Sequence, residues 1–458
     1  MKKQYVVLIS LPLLLILLAA TKQTKQNSKS AFLGSAEANS QEMIQQGRQI
    51  FRFDTFGDQA FWGDLLKLHQ VVNTLTPRNA LGLGLKVDAE ALPPSVVQTI
   101  KHGKVNLNDP AVTRLLVKKN AVLGVVGFFD NKGMLNSVGL TCALCHSTVD
   151  NSVAPGIGKR IDGLANRDLN VGAIVASAPN LDPVEDLLEL ANPGLTVADV
   201  RKVLNSWGPG KFDAELFLDG KTFNPQQVTN GTITGTNVPG ATLLPNARGL
   251  AGHNLHTWTG GWGTVTYWNA FVAVNELHGV GTFFDARFDD AAQFPIAAKA
   301  RLGHVSVDPD HDQVTSKLPA LHFYQLALPA VTPRPGIDFD PDAAERGDEL
   351  FSGKANCNSC HHEPLWTEPG WNQHPADEMK IDSFEADRSP GRAYRTMNLA
   401  GVFVRERGLF MFPQNKGRFY HDGRFQTLLD VVNSYDARFS LGLTDQEKHD
   451  LVEYLKSL

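Results

Sequence analysis

Two stretches of the chain repeat the pattern Cys-x-x-Cys-His, at residues 142–146 and 357–361, and together they use all four cysteines. Two thiols three positions apart can bond to the vinyl groups of a haem, and the next histidine is then held beneath the iron. A zinc site made of two Cys-x-x-Cys pairs is the alternative, but zinc would not require a histidine after each pair. The pattern therefore predicts two covalently bound c-type haems. They would be attached through Cys142, Cys145, Cys357 and Cys360, and their irons would be bound by His146 and His361.

The first 41 residues predict a secretion signal followed by a linker. A short basic start precedes an apolar run from Tyr5 to Ala20, which ends in small residues. This order is typical of a signal peptide, so we assign residues 1–20 to the signal and the polar residues 21–41 to a linker. The run is shorter than the roughly 20 apolar residues of a membrane span, although an uncleaved anchor stays open. Because c-type haem is attached outside the bacterial cytoplasm, we expect a periplasmic protein.

The composition argues against a nucleic-acid-binding role. The net charge is −5 and no stripe of basic residues stands out, whereas nucleic-acid surfaces need clustered lysine and arginine. The roughly 415 residues after the linker are enough for two or three domains. Because every cysteine is assigned to haem, no disulfide is expected.

The carboxyl-terminal part, residues 336–458, predicts a cytochrome c module. Asp340 can cap a helix that has proline in its first turn and ends shortly before the second haem motif. Near the chain end, Thr444 opens a capping-box pattern, and Leu451 and Leu455 then share a helical face with Tyr454. A helix before the haem motif and a helix that closes the module is the layout of a class I cytochrome c.

An expanded copy of the same opening is predicted in the first module. Gly47 and Phe51 repeat the spacing of Gly347 and Phe351, but 91 positions separate Phe51 from the first haem cysteine, against six in the second module. The capped helical pattern from Thr196 to Trp207 is a candidate for the helix that closes this module. We therefore expect a mainly α fold.

Its two cytochrome c-like haem modules would be joined by a long irregular, partly β connection. Residues 42–335 would hold the first haem module with its large insertions and this connector. Residues 208–335 are rich in glycine, threonine and aromatic side chains, and Thr232 to Thr234 could form a short strand. Pockets favour domain interfaces, so a substrate site could be built in this connection.

The last 120 residues resemble the carboxyl-terminal half of bacterial di-haem cytochrome c peroxidases. That superfamily includes the di-haem enzyme that matures a tryptophan-derived quinone cofactor, and this chain resembles a divergent member with long amino-terminal insertions. Three segments carry the resemblance: Arg346–Phe351 before the second haem motif, Tyr394–Leu399, and Phe419–Leu428, which contains the His-Asp-Gly sequence.

The resemblance implies roles for further residues. The haem on His146 would be the reacting centre, with Glu276 as its acid–base group, although a surface carboxylate is the alternative for Glu276. Either His253 or His256 could be a removable distal ligand or an ordinary loop histidine. Trp207, Trp258, Trp262 and Trp268 could relay electrons or simply fill the core.

The resemblance also implies a ligand for the second haem. Tyr435 stands where the peroxidases have a ligand methionine. A tyrosine at this position resembles the quinone-maturation enzyme instead. In the alternative, Tyr435 packs within its helix and Met397 or Met411 supplies a sulfur ligand. Lys416 and Arg418 replace residues that help to hold an inter-haem calcium ion, which argues against calcium here.

The function that we expect is hydrogen peroxide reduction at the first haem, with electrons relayed through the second. The donor would be a small periplasmic protein such as a cytochrome c or a cupredoxin. Two alternatives stay open: an oxidase of an organic or protein substrate, and a pure electron-transfer cytochrome with both irons six-coordinate.

Overall fold

The computed structural model describes residues 34–458, and these form a mixed fold that is 43% helical and 12% strand. At this coarse level the mainly α prediction is confirmed. The predicted signal peptide and the linker residues up to 33 lie outside the described part of the chain. Residues 34–41, the end of the predicted linker, are largely exposed and belong to a helix that continues to residue 53.

The helices are short and are spread along the whole described chain. After the helix that ends at residue 53, the α-helices are Leu68–Thr74, Pro77–Gly82, Pro94–Lys101, Pro110–Lys118, Ala143–His146, Val171–Ala176, Asp182–Glu189, Val197–Ser206, Leu216–Asp219, Val265–Phe271, Pro295–Ala300, Leu318–Ala327, Pro341–Ser352, Phe384–Asp387, Phe403–Arg407, Leu428–Phe439 and Asp445–Ser457. Two π-helical turns are Ala60–Leu65 and Val272–Glu276. Between residues 34 and 458, no helix has the length and apolar composition needed to cross a lipid bilayer.

The strands pair two by two instead of forming one sheet. The pairs are Val87–Asp88 with Ile157–Gly158, Val125–Phe129 with Leu135–Leu140, Ser147–Val149 with Arg160–Asp162, Lys211–Phe212 with Thr242–Leu243, Phe223–Asn224 with Val238–Pro239, Gln227–Thr229 with Thr232–Gly235, and Phe283–Phe284 with His304–Val305. The three pairs between residues 211 and 243 nest inside one another and form a long antiparallel arm. The strand predicted at Thr232 to Thr234 is confirmed as part of the tip of this arm.

The helix caps predicted from the sequence are confirmed. The side chain of Asp340 accepts hydrogen bonds from the first turn of its helix. Thr196 and Thr444 each form a complete capping box with the acidic residue three positions later. These local contacts depend on neighbouring residues alone, which is why their sequence pattern predicts them.

A glycine lets the first and last helices of the carboxyl-terminal module cross in close contact. A Cβ atom on Gly347 would lie 2.1 Å from the Asp450 carbonyl oxygen and 2.7 Å from the Tyr454 Cβ atom. Arg346 clamps the crossing with two hydrogen bonds to the Asp450 carboxylate, of 2.9 and 2.8 Å. One turn after the glycine, Phe351 packs on Tyr454 with ring centroids 5.0 Å apart.

The same crossing occurs at the amino-terminal end, with a partner helix that was not predicted. A Cβ atom on Gly47 would lie 2.0 Å from the Ala320 carbonyl oxygen and 2.5 Å from the Tyr324 Cβ atom. Phe51 packs edge-on against Tyr324 at 5.7 Å. The helix Leu318–Ala327 therefore takes the place that Asp445–Ser457 takes in the second module.

This pairing corrects the role assigned to the helix at Val197–Ser206. It forms as predicted, but it packs against Val171–Ala176, where a Cβ atom on Gly172 would lie 2.0 Å from the Leu204 carbonyl oxygen. The prediction that it closes the first module is wrong. A capping box identifies where a helix begins, whereas the helix that meets Gly47 lies over 270 residues away in the chain, so local pattern does not reveal it.

We predict that Gly347→Ala lowers the free energy of unfolding by about 1–3 kcal/mol, because the new methyl group overlaps backbone at the helix crossing. Gly82→Ala is the matched control: it also lies in a helix, but nothing surrounds the added Cβ atom. Its stability should stay the same or rise slightly. Denaturant unfolding of the haem-loaded variants measures both changes, and equal stabilities would contradict the tight crossing.

Candidate haem centres

Each Cys-x-x-Cys-His motif folds into one helical turn. The backbone N–H of His146 donates to the carbonyl of Cys142 at 3.1 Å, and the N–H of His361 donates to that of Cys357 at 3.0 Å. This i to i+4 bond brings the first thiol, the second thiol and the imidazole toward one side of the turn. The local geometry is the one that a covalently attached haem requires.

Both motif histidines are oriented by a backbone carbonyl. The Nδ1 atom of His146 lies 3.1 Å from the Pro245 oxygen, and that of His361 lies 3.0 Å from the Trp366 oxygen. A carbonyl can only accept, so each Nδ1 carries the proton and each Nε2 keeps its lone pair for a metal. Burial also lowers the pKa of His146 to about 4 and lowers the pKa of His361, so both rings stay neutral.

All four motif cysteines are half-buried, and three of them contact apolar cores. Cys142 contacts the core around Phe51 and Trp268, Cys145 contacts a second core, and Cys357 contacts the core of the carboxyl-terminal module. Cys360 instead lies near Glu368 and His374. Burial raises the pKa of Cys142 and Cys145 to about 12. Neutral thiols beside a neutral imidazole with a free lone pair fit a c-type haem at each motif.

Glu276 lies beside the first motif. It ends the π-helical turn Val272–Glu276, and the carbonyl of the next residue, Leu277, accepts a hydrogen bond from the Trp62 indole at 2.8 Å. Burial raises the pKa of Glu276 to about 8, with a smaller contribution from the negative charge of Glu215. Burial is the main cause of the raised pKa of Cys145, and the charge of Glu276 is the second cause. Glu276 therefore holds its proton at neutral pH at the edge of this motif.

A buried group of carboxylates continues from Glu276 into the protein. Glu215 accepts a hydrogen bond from the Trp262 indole at 3.3 Å, and burial raises its pKa to about 7. The fully buried Arg388 pairs with Asp213 at 2.7 Å and with Asp219 at 2.9 Å. One guanidinium cannot balance this many buried carboxylates, so protons must be shared among them.

Between the two motifs runs the loop that carries His253 and His256. His256 is buried, and its pKa lies well below the usual value because of burial, then the charges of Arg395 and His146. The neighbouring Gly252 packs against the side chain of Leu365, next to the residue that orients His361, and the buried Nδ1 of His253 has no partner among the described residues. This loop therefore touches the surroundings of both motif histidines.

Trp258 is fixed within the same loop. Its indole donates to the Leu243 carbonyl at 2.7 Å, and Arg395 holds the loop by donating to the carbonyls of Leu255 and Thr257. The other candidate relay tryptophans are also buried: Trp207 packs on Phe212, while Trp262 and Trp268 belong to the aromatic core around Phe271.

At the second motif, the structure places Met397 and Tyr435 in different surroundings. The Met397 backbone lies within hydrogen-bonding reach of the His361 ring. Tyr435 shares a face of the helix Leu428–Phe439 with buried residues of the carboxyl-terminal core, and the Arg438 guanidinium lies 4.2 Å above its ring. Met411 lines a small cleft at the other motif instead. These placements leave the distal ligand of the second haem a prediction.

The segments that carry the family resemblance pack on one another. Tyr394 stacks on His421 of the His-Asp-Gly sequence at 5.1 Å, and Asp422 pairs with Arg424 at 2.7 Å. The His421 carbonyl accepts from the Leu243 backbone at 2.6 Å, which connects this site to the anchor of Trp258. His362, next to the second motif, is exposed.

Sequence reasoning missed several residues at the sites. No sequence pattern points to Glu215, because Glu276, which lies near it in the fold, is 61 positions away in the chain. His278 has a positive φ of 59° and stacks on Phe61 at 3.6 Å. The hairpin Val125–Phe129 with Leu135–Leu140 was also missed, although a polar turn sequence ending in Gly133 between two apolar runs is a signal for it.

Comparisons with known proteins give a partial match. No family model matches the chain. A cytochrome-c peroxidase of Denitromonas iodatirespirans, IdrP1, is 29% identical over a segment that covers 25% of this chain and 40% of the relative. The match thus spans less than half of that protein. It supports a coarse assignment of this chain to haem oxidoreductases.

A solved structure is also similar in part. Hydrazine synthase of Kuenenia stuttgartiensis, in a structure pressurised with xenon, has 17% sequence identity over 48% of this chain and 72% of the other. The TM-score is 0.31, which is too low to assign a fold or a function.

We predict that replacing Cys142 and Cys145 with alanine removes one of two covalent haems, because these thiols supply both thioether bonds at the first motif. The matched control replaces Cys357 and Cys360, which should remove the other haem. Denaturing gels stained for haem, with haem-to-protein ratios, measure both. A protein that keeps two covalent haems in either variant, or wild-type protein with bound zinc and no haem, would contradict the assignment.

Proposed function

We propose that this protein is an exported di-haem c-type oxidoreductase that reduces hydrogen peroxide at the haem held by His146. Electrons come from a small periplasmic cytochrome c or cupredoxin and pass through the haem held by His361. The coarse match to a cytochrome-c peroxidase supports the reaction class. The feature that carries the proposal is the carboxyl group of Glu276, which is shielded from water and whose charge acts on Cys145 of the first haem motif.

The reaction needs two electrons and two protons for each peroxide, which becomes two water molecules. The bound haem supplies the redox-active iron at this site. Glu276 supplies a proton from its carboxyl oxygen to the oxygen that leaves when the O–O bond breaks. Because its pKa is about 8, the group is protonated at neutral pH and yet close enough to that pH to be reprotonated quickly.

Glu215 is placed to return a proton to Glu276. The charge of Glu215 raises the pKa of Glu276, and the pKa of Glu215 itself is about 7. The Trp262 indole donates to one oxygen of Glu215. A proton that Glu276 gives up can therefore be replaced from the buried carboxylate group that includes Asp213.

The loop between the motifs provides the route for electrons. Trp258 is buried and anchored at both Leu243 and Arg395, and the loop contacts the surroundings of His361 where Gly252 packs against Leu365. A rigid aromatic side chain between two redox centres shortens the electron-transfer steps. His256, buried near His146, is the candidate for a ligand that leaves when the first site opens.

The Glu276→Gln variant tests this function. We expect peroxide-dependent oxidation of a reduced donor cytochrome to slow by about 10²-fold or more, because the proton donor is lost. In the wild type the rate should fall as the pH rises through about 8, where Glu276 loses its proton, and the variant should lack this decrease. Electron paramagnetic resonance of the half-reduced protein should also show a high-spin haem that responds to peroxide.

The exposed Glu345→Gln is the matched control, and it should keep the wild-type rate and pH profile. An unchanged rate and pH profile in Glu276→Gln with both haems bound would exclude the acid–base role. Two low-spin haems that ignore peroxide in every redox state would overturn the proposed reaction and leave an electron-transfer protein.

We further predict that Tyr435→Phe changes the absorption and electron paramagnetic resonance spectra of the second haem and raises its reduction potential. A phenolate ligand favours ferric iron, so losing it should stabilise the reduced form. Met397→Leu is the comparison, and it should leave the spectra unchanged. The opposite result, with altered spectra only in Met397→Leu, would make the methionine sulfur the ligand.

A further inference from the structure

Three arginines gather where the two halves of the chain meet. Arg167 follows the first haem motif, while Arg405 and Arg418 come from the carboxyl-terminal module. Arg167 is 5% exposed and the other two are half-buried. Arg418 donates to the Arg167 carbonyl oxygen at 3.0 Å, and Arg405 donates to the Arg418 carbonyl oxygen. Side-chain to backbone hydrogen bonds thus link the three residues, whose charges also act on one another, and we call them the arginine cluster.

The arginine cluster has no anion among the described residues. Within residues 34–458, no carboxylate forms an ion pair with any of the three guanidinium groups. The charge of Asp168 acts on Arg418, but this carboxylate already binds Lys86 at 2.5 Å and accepts from Asn415 at 2.6 Å. The protein therefore balances the three arginine charges only in part.

Each arginine also keeps a buried nitrogen without a partner in the described part of the chain. These atoms are Nη1 of Arg167, Nε of Arg405 and Nε of Arg418. Burial and the neighbouring guanidinium charges lower the pKa of Arg167 well below its usual value. Unpaired buried charges and unsatisfied donors are both costly, so such a group is stable only when an anion binds to it.

The surroundings indicate which anion this is. Arg167 and Arg405 line a small cleft together with Thr148 and Asn246. Asn246 directly follows Pro245, whose carbonyl orients His146, and the charge of Arg167 reaches His146 itself. A haem bound at His146 carries two carboxylates, the propionates, at the edge opposite its thioether bonds. They are the anions that this haem would bring to the cluster.

We propose that Arg167, Arg405 and Arg418 bind the propionate carboxylates of the haem held by His146. The guanidinium groups would donate from the unpartnered nitrogens in charge-assisted hydrogen bonds. Because the arginines come from both halves of the chain, the propionates join the two halves. This inference rests on the haem assigned to His146 in the proposed function and does not depend on the reaction with peroxide.

The test uses the exported protein with both haems bound and compares Arg167→Gln and Arg405→Gln with the wild type. Resonance Raman spectroscopy reports the bending bands of haem propionates, and these should shift in both variants as hydrogen bonds are lost. The reduction potential of the first haem should fall, because a nearby cation favours the reduced form. Arg405→Lys keeps the positive charge. Its reduction potential should therefore stay close to that of the wild type, whereas its propionate bands should shift as they do in Arg405→Gln.

Arg201→Gln is the matched control. Arg201 is also half-buried, and within the described part of the chain its side chain bonds only to the backbone carbonyls of Ala176 and Ala178. Its loss should leave bands and potential unchanged. Unchanged propionate bands in the cluster variants, or the same shift in Arg201→Gln, would overturn the proposal.

Titration with inorganic phosphate tests the alternative that the cluster binds an anion from solution instead of the haem propionates. If phosphate changes the wild-type potential, and the glutamine variants lose this response without a shift in the propionate bands, the cluster binds an anion from solution and the proposal is wrong. A protein with bound haems that shows shifted bands but no peroxide turnover would support the arginine cluster and reject only the proposed reaction.

Discussion

The close helix crossing at a glycine is the constraint on which both halves of the structure depend. At Gly47 and at Gly347 the partner backbone lies so near that no side chain fits. Each crossing places a phenylalanine, Phe51 or Phe351, one turn later, on the tyrosine of the partner helix and in the core that contacts the motif cysteine. The same type of close backbone contact thus occurs in both halves and helps to position each haem motif.

Burial of charge organises the space between the two motifs. Near Glu276 the protein buries more carboxylates than cations, and these groups share protons because they cannot all ionise. At the arginine cluster it buries more cations than carboxylates. Both imbalances are costly in a protein without a cofactor. The two proposed roles, proton donation by Glu276 and anion binding by the arginine cluster, would give each imbalance a chemical purpose.

The connector, residues 208–335, supplies the parts of this environment. Glu215 lies at the base of the antiparallel arm, and Glu276 ends a π-helical turn later in the same connector. The loop with His256 and Trp258 is held by Arg395 from the carboxyl-terminal module. The second half keeps the short helix–motif–helix layout, whereas the first half surrounds its motif with buried carboxylates, histidines and tryptophans.

The sequence by itself determined the haem motifs, the capped helices at Thr196, Asp340 and Thr444, and the predominance of helix. Each depends on residues within a few positions of one another, so its physical cause is visible in the sequence. Only the tertiary structure decided which helix meets Gly47, that Glu215 accompanies Glu276, and that three arginines meet without a counter-charge. Glu215 and Glu276 are 61 positions apart in the chain, Arg167 and Arg418 are 251 apart, and Gly47 and Ala320 are 273 apart. These contacts form because burial selects partners across the whole fold, and no local pattern records that choice.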